Sequence, residues 1–276
     1  GGHCDENGLR PGLIQLGPND GVADGVDQVR AAVRYQVKGG ADVIKMCATG
    51  GVLSEGDAVG ATQYTYEEMK ALVDEATKLG RKVAAHAHGT EGIKIAVRAG
   101  VSLIAYTSIL HADTTPIALA DEHRITEAAL KKSGMPHVLL RNGWYTENYT
   151  AAIQAILAHN AVVGSAGNGK ISAAARADYA AAAAAVLTSK ENQAGKTYEL
   201  AGDEAFTMAE FAAEIAKQTG KAIAYNDLPE ATYAGILVGA GLPEGFAKVL
   251  AQSSTVTKGG ALFDDSHTMS KLIGRK

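Results

Sequence analysis

Lys45 stands inside a short apolar stretch, Asp42-Val-Ile-Lys-Met-Cys-Ala48, and two histidines, His86 and His88, close the next one, which begins at Lys82. If both stretches are strands, a lysine and two imidazoles lie where α/β folds collect ligands and catalytic groups. The alternative is that Lys45 runs its aliphatic stem to the strand's end and the histidines bond to neighbouring loops. Gly164-Ser-Ala-Gly-Asn-Gly-Lys170 has the spacing of a phosphate-binding loop. Ile171 stands where such a loop needs a Ser or Thr to hold magnesium, and Asn168-Gly169 instead suggests a tight turn. His111, His123, His159 and His267 show no metal-ligand spacing and read as surface or capping residues. No Ser/His/Asp order or nucleophile elbow is present.

The elements that must position these residues alternate. Apolar positions from Val22 to Val37 recur at helical spacing, with Gly39-Gly40 as a stop. A strand over 42–48 follows, then a Gly-rich loop and a helix from Thr65, with Glu67 and Glu68 in its first turn, to Gly80. A strand from Lys82, a helix over 91–99 and a buried strand over 101–106 come next. Further on, the pattern predicts helices over 117–132, 151–158, 173–187, 208–219, 230–238 and 245–251. Strands are predicted at 137–142, 162–163, 197–201 and, as a small edge strand, 222–225. Such alternation implies parallel strands joined by right-handed crossovers.

With 276 residues, 46% of them hydrophobic, the chain can bury a substantial core. A net charge of -4 offers no footprint for nucleic acid or an anionic membrane. No apolar run reaches bilayer length and no signal segment opens the chain, so a soluble, cytoplasmic protein is expected. Two cysteines, Cys4 and Cys47, are too few for a disulfide framework and are expected as reduced thiols.

Gly-Ala-Asp-Val-Ile-Lys-Met-Cys-Ala-Thr-Gly-Gly at 40–51, with Val-Ala-Ala-His-Ala-His-Gly at 83–89, resembles the metal-dependent amidohydrolases related to imidazolonepropionase and Xaa-Pro dipeptidases. The resemblance covers about residues 1–102 and implies TIM-barrel βα units. It would make Lys45 a carbamylated lysine bridging two metals and His86 a metal ligand. The family's first-strand His-x-His and last-strand acidic residue have no counterpart, and Ile104-Ala-Tyr-Thr107 replaces its Ile-Glu-His-Gly. A hydrolytic site needs three or more ligands and an open position for water, so the metal positions are expected to be a remnant. His3, Cys4, His86 and Lys45 are the residual set for zinc.

Leu-Leu-Arg-Asn-Gly-Trp-Tyr-Thr-Glu-Asn-Tyr at 139–149, together with Ala175-Arg-Ala-Asp-Tyr179, Tyr198-Glu-Leu-Ala-Gly202 and Gly260-Ala-Leu-Phe-Asp-Asp265, resembles the NADPH-dependent quinone oxidoreductase 2 proteins. These are atypical short-chain dehydrogenases close to the NmrA-like group, and the resemblance runs from about 103 to 276. It implies that Asn142, Gly143, Trp144 and Tyr145 border the nicotinamide end of NADP(H) and that Arg176 helps hold the ligand side. Read by packing alone, Trp144 and Tyr145 are a helix-entry cluster. The Gly-rich turn after a first strand that holds a dinucleotide diphosphate is missing.

The fold expected is α/β: a Rossmann-like, three-layer, mostly parallel sheet. Its βα units over 1–102 are of TIM-barrel origin, 103–276 is the Rossmann-derived part, and a small α-rich subdomain closes the C-terminus. Two families meeting inside one strand, each without the half that holds its metal or cofactor, read as an engineered chimera, since natural boundaries fall in linkers. The function expected is a folded scaffold without native catalytic activity. The alternatives are a residual NAD(P)H-dependent quinone oxidoreductase and a vestigial metal-binding amidohydrolase fragment. No cofactor is expected beyond weak NADP(H) binding, and neither nucleic acid nor membrane is a partner.

Overall fold

The structure is a computed structural model that describes residues 16–50, 58, 61–86, 90–101 and 103–276, with the side chains of His86 and Thr90 outside that description. In chain order the elements are α1 (Val26–Lys38), β1 (Val43–Cys47), α2 (Tyr66–Lys78), β2 (Lys82–His86), α3 (Thr90–Arg98), β3 (Ile104–Ile109), α4 (Ala120–Ser133), β4 (His137–Asn142) and α5 (Glu147–Thr150). They continue with α6 (Ile153–His159), β5 (Ala161–Gly164), α7 (Arg176–Thr188), β6 (Thr197–Leu200), α8 (Met208–Thr219), β7 (Ala224–Asp227), α9 (Glu230–Gly239), α10 (Glu244–Val256) and α11 (Thr268–Ile273). Strands pair as β1-β2, β3-β4-β6 and β5-β7, and the first and last of these sets are parallel. One continuous sheet was expected; among the described residues the hydrogen-bonded strands form three sets.

The chain divides into two compact units. The first holds the described residues up to Thr107 with Thr126–Leu139 and Leu187–Lys196, and the second holds Ser108–Ile125, Leu140–Val186 and Thr197–Lys276. The first unit's core gathers Val29 and Val33 of α1, Ile44 and Met46 of β1, Met69 and Leu72 of α2 and Val83 of β2. The helices are tied at their starts. Thr65 caps α2 through the N–H of Glu68 at 3.3 Å, while Glu68 accepts the N–H of Thr65 at 2.7 Å and, with its other oxygen, that of Gly25 at the start of α1, also at 2.7 Å. One buried carboxylate thus satisfies orphan donors at two helix ends.

β3 begins three residues later than predicted. Gly100, at φ +96, turns the chain out of α3, and the N–H groups of Gly100 and Val101 are spent on Val97 and Ala96. That helix-closing turn uses up the backbone that strand pairing would need. Cys47 takes part in a disulfide, which corrects the expected free thiol; Cys4 lies outside the described residues.

The second unit's core is built from Ile109, Ile117, Ile156, Val162, Ile171, Ile215 and Leu262, among others. Helix α7 buries Tyr179, Ala182 and Val186, a narrow face whose small residue allows close approach. Among the described residues no helix is long and apolar enough to cross a membrane.

Candidate cofactor site at the carboxyl end of β4

β4 has an unbroken buried run, Val138 to Arg141, as a strand covered on both faces requires. Beyond it the chain turns in tight contact with its neighbours. The N–H of Gly143 donates to the Leu200 carbonyl at 2.7 Å. A Cβ at residue 143 would lie 3.1 Å from the Tyr179 hydroxyl and 3.2 Å from the Leu200 oxygen, so glycine serves a close approach here. The Trp144 carbonyl accepts both the Ala174 N–H and the Tyr179 hydroxyl at 3.3 Å. Tyr145 bridges Ala174 in parallel, and Thr146 donates to the Ala174 carbonyl at 2.9 Å. Asn142 reaches the Tyr145 hydroxyl with its Nδ2 at 3.5 Å.

Arg176 opens α7. Its N–H donates to the Glu147 carboxylate at 3.0 and 3.1 Å, placing negative charge at the helix's positive end. Its guanidinium lies 5.3 Å from the centre of the Tyr145 ring, a cation–π contact, and that ring meets Tyr179 edge-on at 5.1 Å. Burial, with Tyr145, Asp178 and Glu147 adding to it, pushes the Tyr179 phenol well above its usual range. It is therefore a fixed donor to Trp144 and no source of protons near neutral pH. Tyr149 is likewise held neutral by burial, with Tyr233, Tyr179 and Tyr225 reinforcing it, in an aromatic group with Phe206 and Phe211. The structure thus brings Asn142, Gly143, Tyr145 and Arg176 together. Trp144 packs against the second unit's core, as the helix-entry reading has it.

A charged network adjoins this turn. Arg141, 5% exposed, donates to Glu199 at 2.8 Å and to Asp113 at 3.1 Å. Glu199 also accepts the backbone N–H of His111 at 2.8 Å, and the His111 ring sits 3.2 Å from the Phe263 carbonyl and 3.7 Å from Asp264. Spacing missed Glu199 because a lone carboxylate on a short strand carries no pattern. The quoted stretch 198–202 was the available signal.

The metal positions are less well connected. Lys45 is exposed on β1, and the register pairs it with Ala84, whereas Cys47 is the partner of His86. His3, Cys4, His88 and the His86 side chain lie outside the described residues. Among the described residues no group of three or more His, Cys, Asp or Glu is placed to hold a metal. The phosphate-loop spacing at 164–170 has a structural use. The N–H groups of Ser165, Ala166 and Gly167 donate to Ser254, Tyr225 and Asp227, and the turn closes from Gly169 to Ala166, one residue earlier than expected. Of the other histidines, His267 pairs with Asp203 at 3.2 Å.

The profile of the Amidohydrolase family matches residues 5–216. Quinone oxidoreductase 2 of Escherichia coli K12 is 49% identical over 219 residues, 79% of this chain and 75% of that protein. The crystal structure of the NADPH-dependent E. coli enzyme complexed with NADPH is 40% identical and covers 95% of this chain and 78% of that one, with a TM-score of 0.65. Ochratoxinase of Aspergillus niger is 46% identical over 99 residues, 36% of this chain and 20% of that protein. The fold is Rossmann-like. Two expectations are corrected by these likenesses. An inert designed scaffold is overturned by close similarity to an oxidoreductase over most of the chain. The absence of a cofactor is overturned by the NADPH complex of that relative. Both expectations leaned on a missing glycine fingerprint. That absence removes one way to hold a diphosphate and leaves the surface at the end of β4 intact. The 219 matched residues exceed the length of 103–276, so the oxidoreductase likeness also reaches back before residue 103.

Proposed function

Starting from a chain that belongs to the quinone oxidoreductase 2 family and, by its match over 5–216, to the Amidohydrolase family, we propose that it reduces quinones with NADPH. The observation that supports this most is the turn after β4, where Asn142, Tyr145 and Arg176 come together around the buried backbone of Gly143. NADPH, when bound, supplies a hydride. The residues present suit it. An amide side chain has more hydrogen-bonding positions than the one long contact Asn142 makes, so it can take up a carboxamide. Tyr145, stacked under Arg176 and braced by Tyr179, offers a rigid ring edge and a nearby positive charge to a flat ligand. Gly143 lets the turn sit close against Tyr179 and Leu200, which fixes its backbone, and Trp144 packs against the core. Orientation of this kind accounts for several kcal/mol of a hydride-transfer barrier, on the order of the gain from proximity alone.

The test is calorimetric titration with NADPH and an assay of NADPH consumption with a naphthoquinone. Saturable binding together with turnover that drops in Asn142→Ala is the expected result. Folded protein that neither binds nor oxidises NADPH would refute the reading.

The two likenesses are further read as two origins joined as a chimera, an amidohydrolase-like stretch of about a hundred residues and an oxidoreductase-like stretch that begins before residue 103. The 99-residue span of the ochratoxinase match supports this. A natural gene encoding both stretches in one reading frame would overturn it.

A further inference from the structure

Glu199 lies on β6, beside β4 in the set β3-β4-β6, and both of its carboxylate oxygens are engaged. Oε1 receives Nη1 of Arg141 at 2.8 Å, and Oε2 receives the backbone N–H of His111 at 2.8 Å. Arg141 immediately precedes Asn142. His111 follows the end of β3 by two residues and holds φ 52, in the left-handed region that a non-glycine residue adopts at a cost. Its ring lies with Nε2 3.2 Å from the Phe263 carbonyl and 3.7 Å from Asp264, and with Nδ1 3.8 Å from Glu199 itself. The two strand ends are also joined directly, Leu110 N–H to the Asn142 carbonyl at 2.8 Å. A single carboxylate therefore grips the residue before Asn142 and the strained residue after Leu110, the two neighbours of that bond.

A largely buried Arg–Glu pair is a poor source of stability compared with apolar residues of the same shape, so stability does not explain its presence next to the turn. Local strain that the surroundings over-determine is found where geometry has to be exact for binding or chemistry. We propose that Glu199 is a positioning residue of the reductase. By clamping Arg141 and the His111 backbone it sets where Asn142 and the Gly143 turn stand against the nicotinamide, without itself touching cofactor or acceptor. This rests on the reading of the preceding subsection.

The experiment compares wild type, Glu199→Gln, and the double variant Glu199→Met with Arg141→Met, which replaces the pair by apolar side chains and guards against simple unfolding. In both variants kcat should fall about tenfold with KM for NADPH and quinone within about twofold, the pattern of a lost transition-state alignment. The deuterium isotope effect on kcat with NADPH labelled at the transferred position should rise, because misplacement slows the hydride step itself. A merely structural role would lower the active fraction and leave the isotope effect unmoved, and that outcome would overturn the proposal. Hydrogen exchange of the His111 and Gly143 amides in cofactor-free protein is the second readout. Faster exchange at both in Glu199→Gln supports the clamp, and unchanged exchange sinks it. If wild type shows no NADPH-dependent reduction, the function reading fails, and the exchange result still decides whether the clamp exists.

Discussion

β1 and β4 are short strands built on apolar residues and each carries a basic residue, yet they use it differently. On β1, Lys45 is exposed and its register partner is an alanine. On β4, Arg141 is buried, anchored to Glu199 and Asp113, and followed by a turn in which Asn142, Gly143, Trp144 and Tyr145 are each tied to a neighbouring segment of the second unit. The contrast teaches that residue type at a strand end is only a proposal for a site. What separates the two is the shell of bonds that holds side chains in one geometry, because a loosely held group neither binds nor orients well.

The comparison is most easily broken at Arg141. Arg141→Met leaves the Glu199 carboxylate without its cation, and because Glu199 is partly exposed the expected loss is about 2–3 kcal/mol, below the full cost of breaking a buried pair. Urea unfolding of the purified variant measures it; a loss under half a kcal/mol would mean that the network does not hold the turn. Next comes Gly143→Ala. Its methyl group meets the Tyr179 hydroxyl and the Leu200 carbonyl, so about 1–3 kcal/mol of overpacking is expected, with weaker NADPH binding by calorimetry.

The first unit should respond at its helix starts. Thr65→Ala removes a cap and should cost about 1 kcal/mol. Burial alone would push the Glu68 carboxyl up, but the N–H groups of Thr65 and Gly25 and the Thr65 hydroxyl outweigh it and hold the carboxyl below its usual range. Its contribution is therefore complete above the ordinary carboxylate range and is lost as pH falls through the depressed value. Thermal melting followed across acidic pH should show a drop that Glu68→Gln removes; an unchanged profile in that variant would rule the linkage out. The smallest effect belongs to Lys45→Met. An exposed side chain outside any cluster should change stability by less than about 0.5 kcal/mol. A loss of bound zinc in that variant, detected by elemental analysis, would instead revive the metal site and erase the contrast between the two strands.

Much of the scaffold is legible without coordinates because local chemistry marks it. Met208–Thr219 and His137–Asn142 are read end to end: the helix has Thr207 with Glu210 as a capping box and Gly220 as its stop, and the strand is centred on the apolar run Val138–Leu140 after Pro136. Where local marks are weak the reading slips. α10 extends well beyond the predicted segment, and α11 is missed because its apolar positions, Met269, Leu272 and Ile273, make up little more than one turn between polar stretches.

The candidate site divides in the same way. The motif 139–149 marks Asn142, Gly143, Trp144 and Tyr145 as a group, and Arg176 comes with its own stretch, because each is a contiguous run of unusual residues. That Arg176 would lie over Tyr145, that Glu147 would cap α7, and that Glu199 would hold both Arg141 and the backbone of His111 could not be read from spacing. These contacts join residues 29 to 88 positions apart. By itself the sequence determined the order of strands and helices and which short runs carry polar chemistry, since both follow from hydrophobic period and capping within a few residues. Only the tertiary structure decided which of those runs is braced into a site, because strand order and register bring distant residues within hydrogen-bond distance, and neither leaves a trace in local spacing.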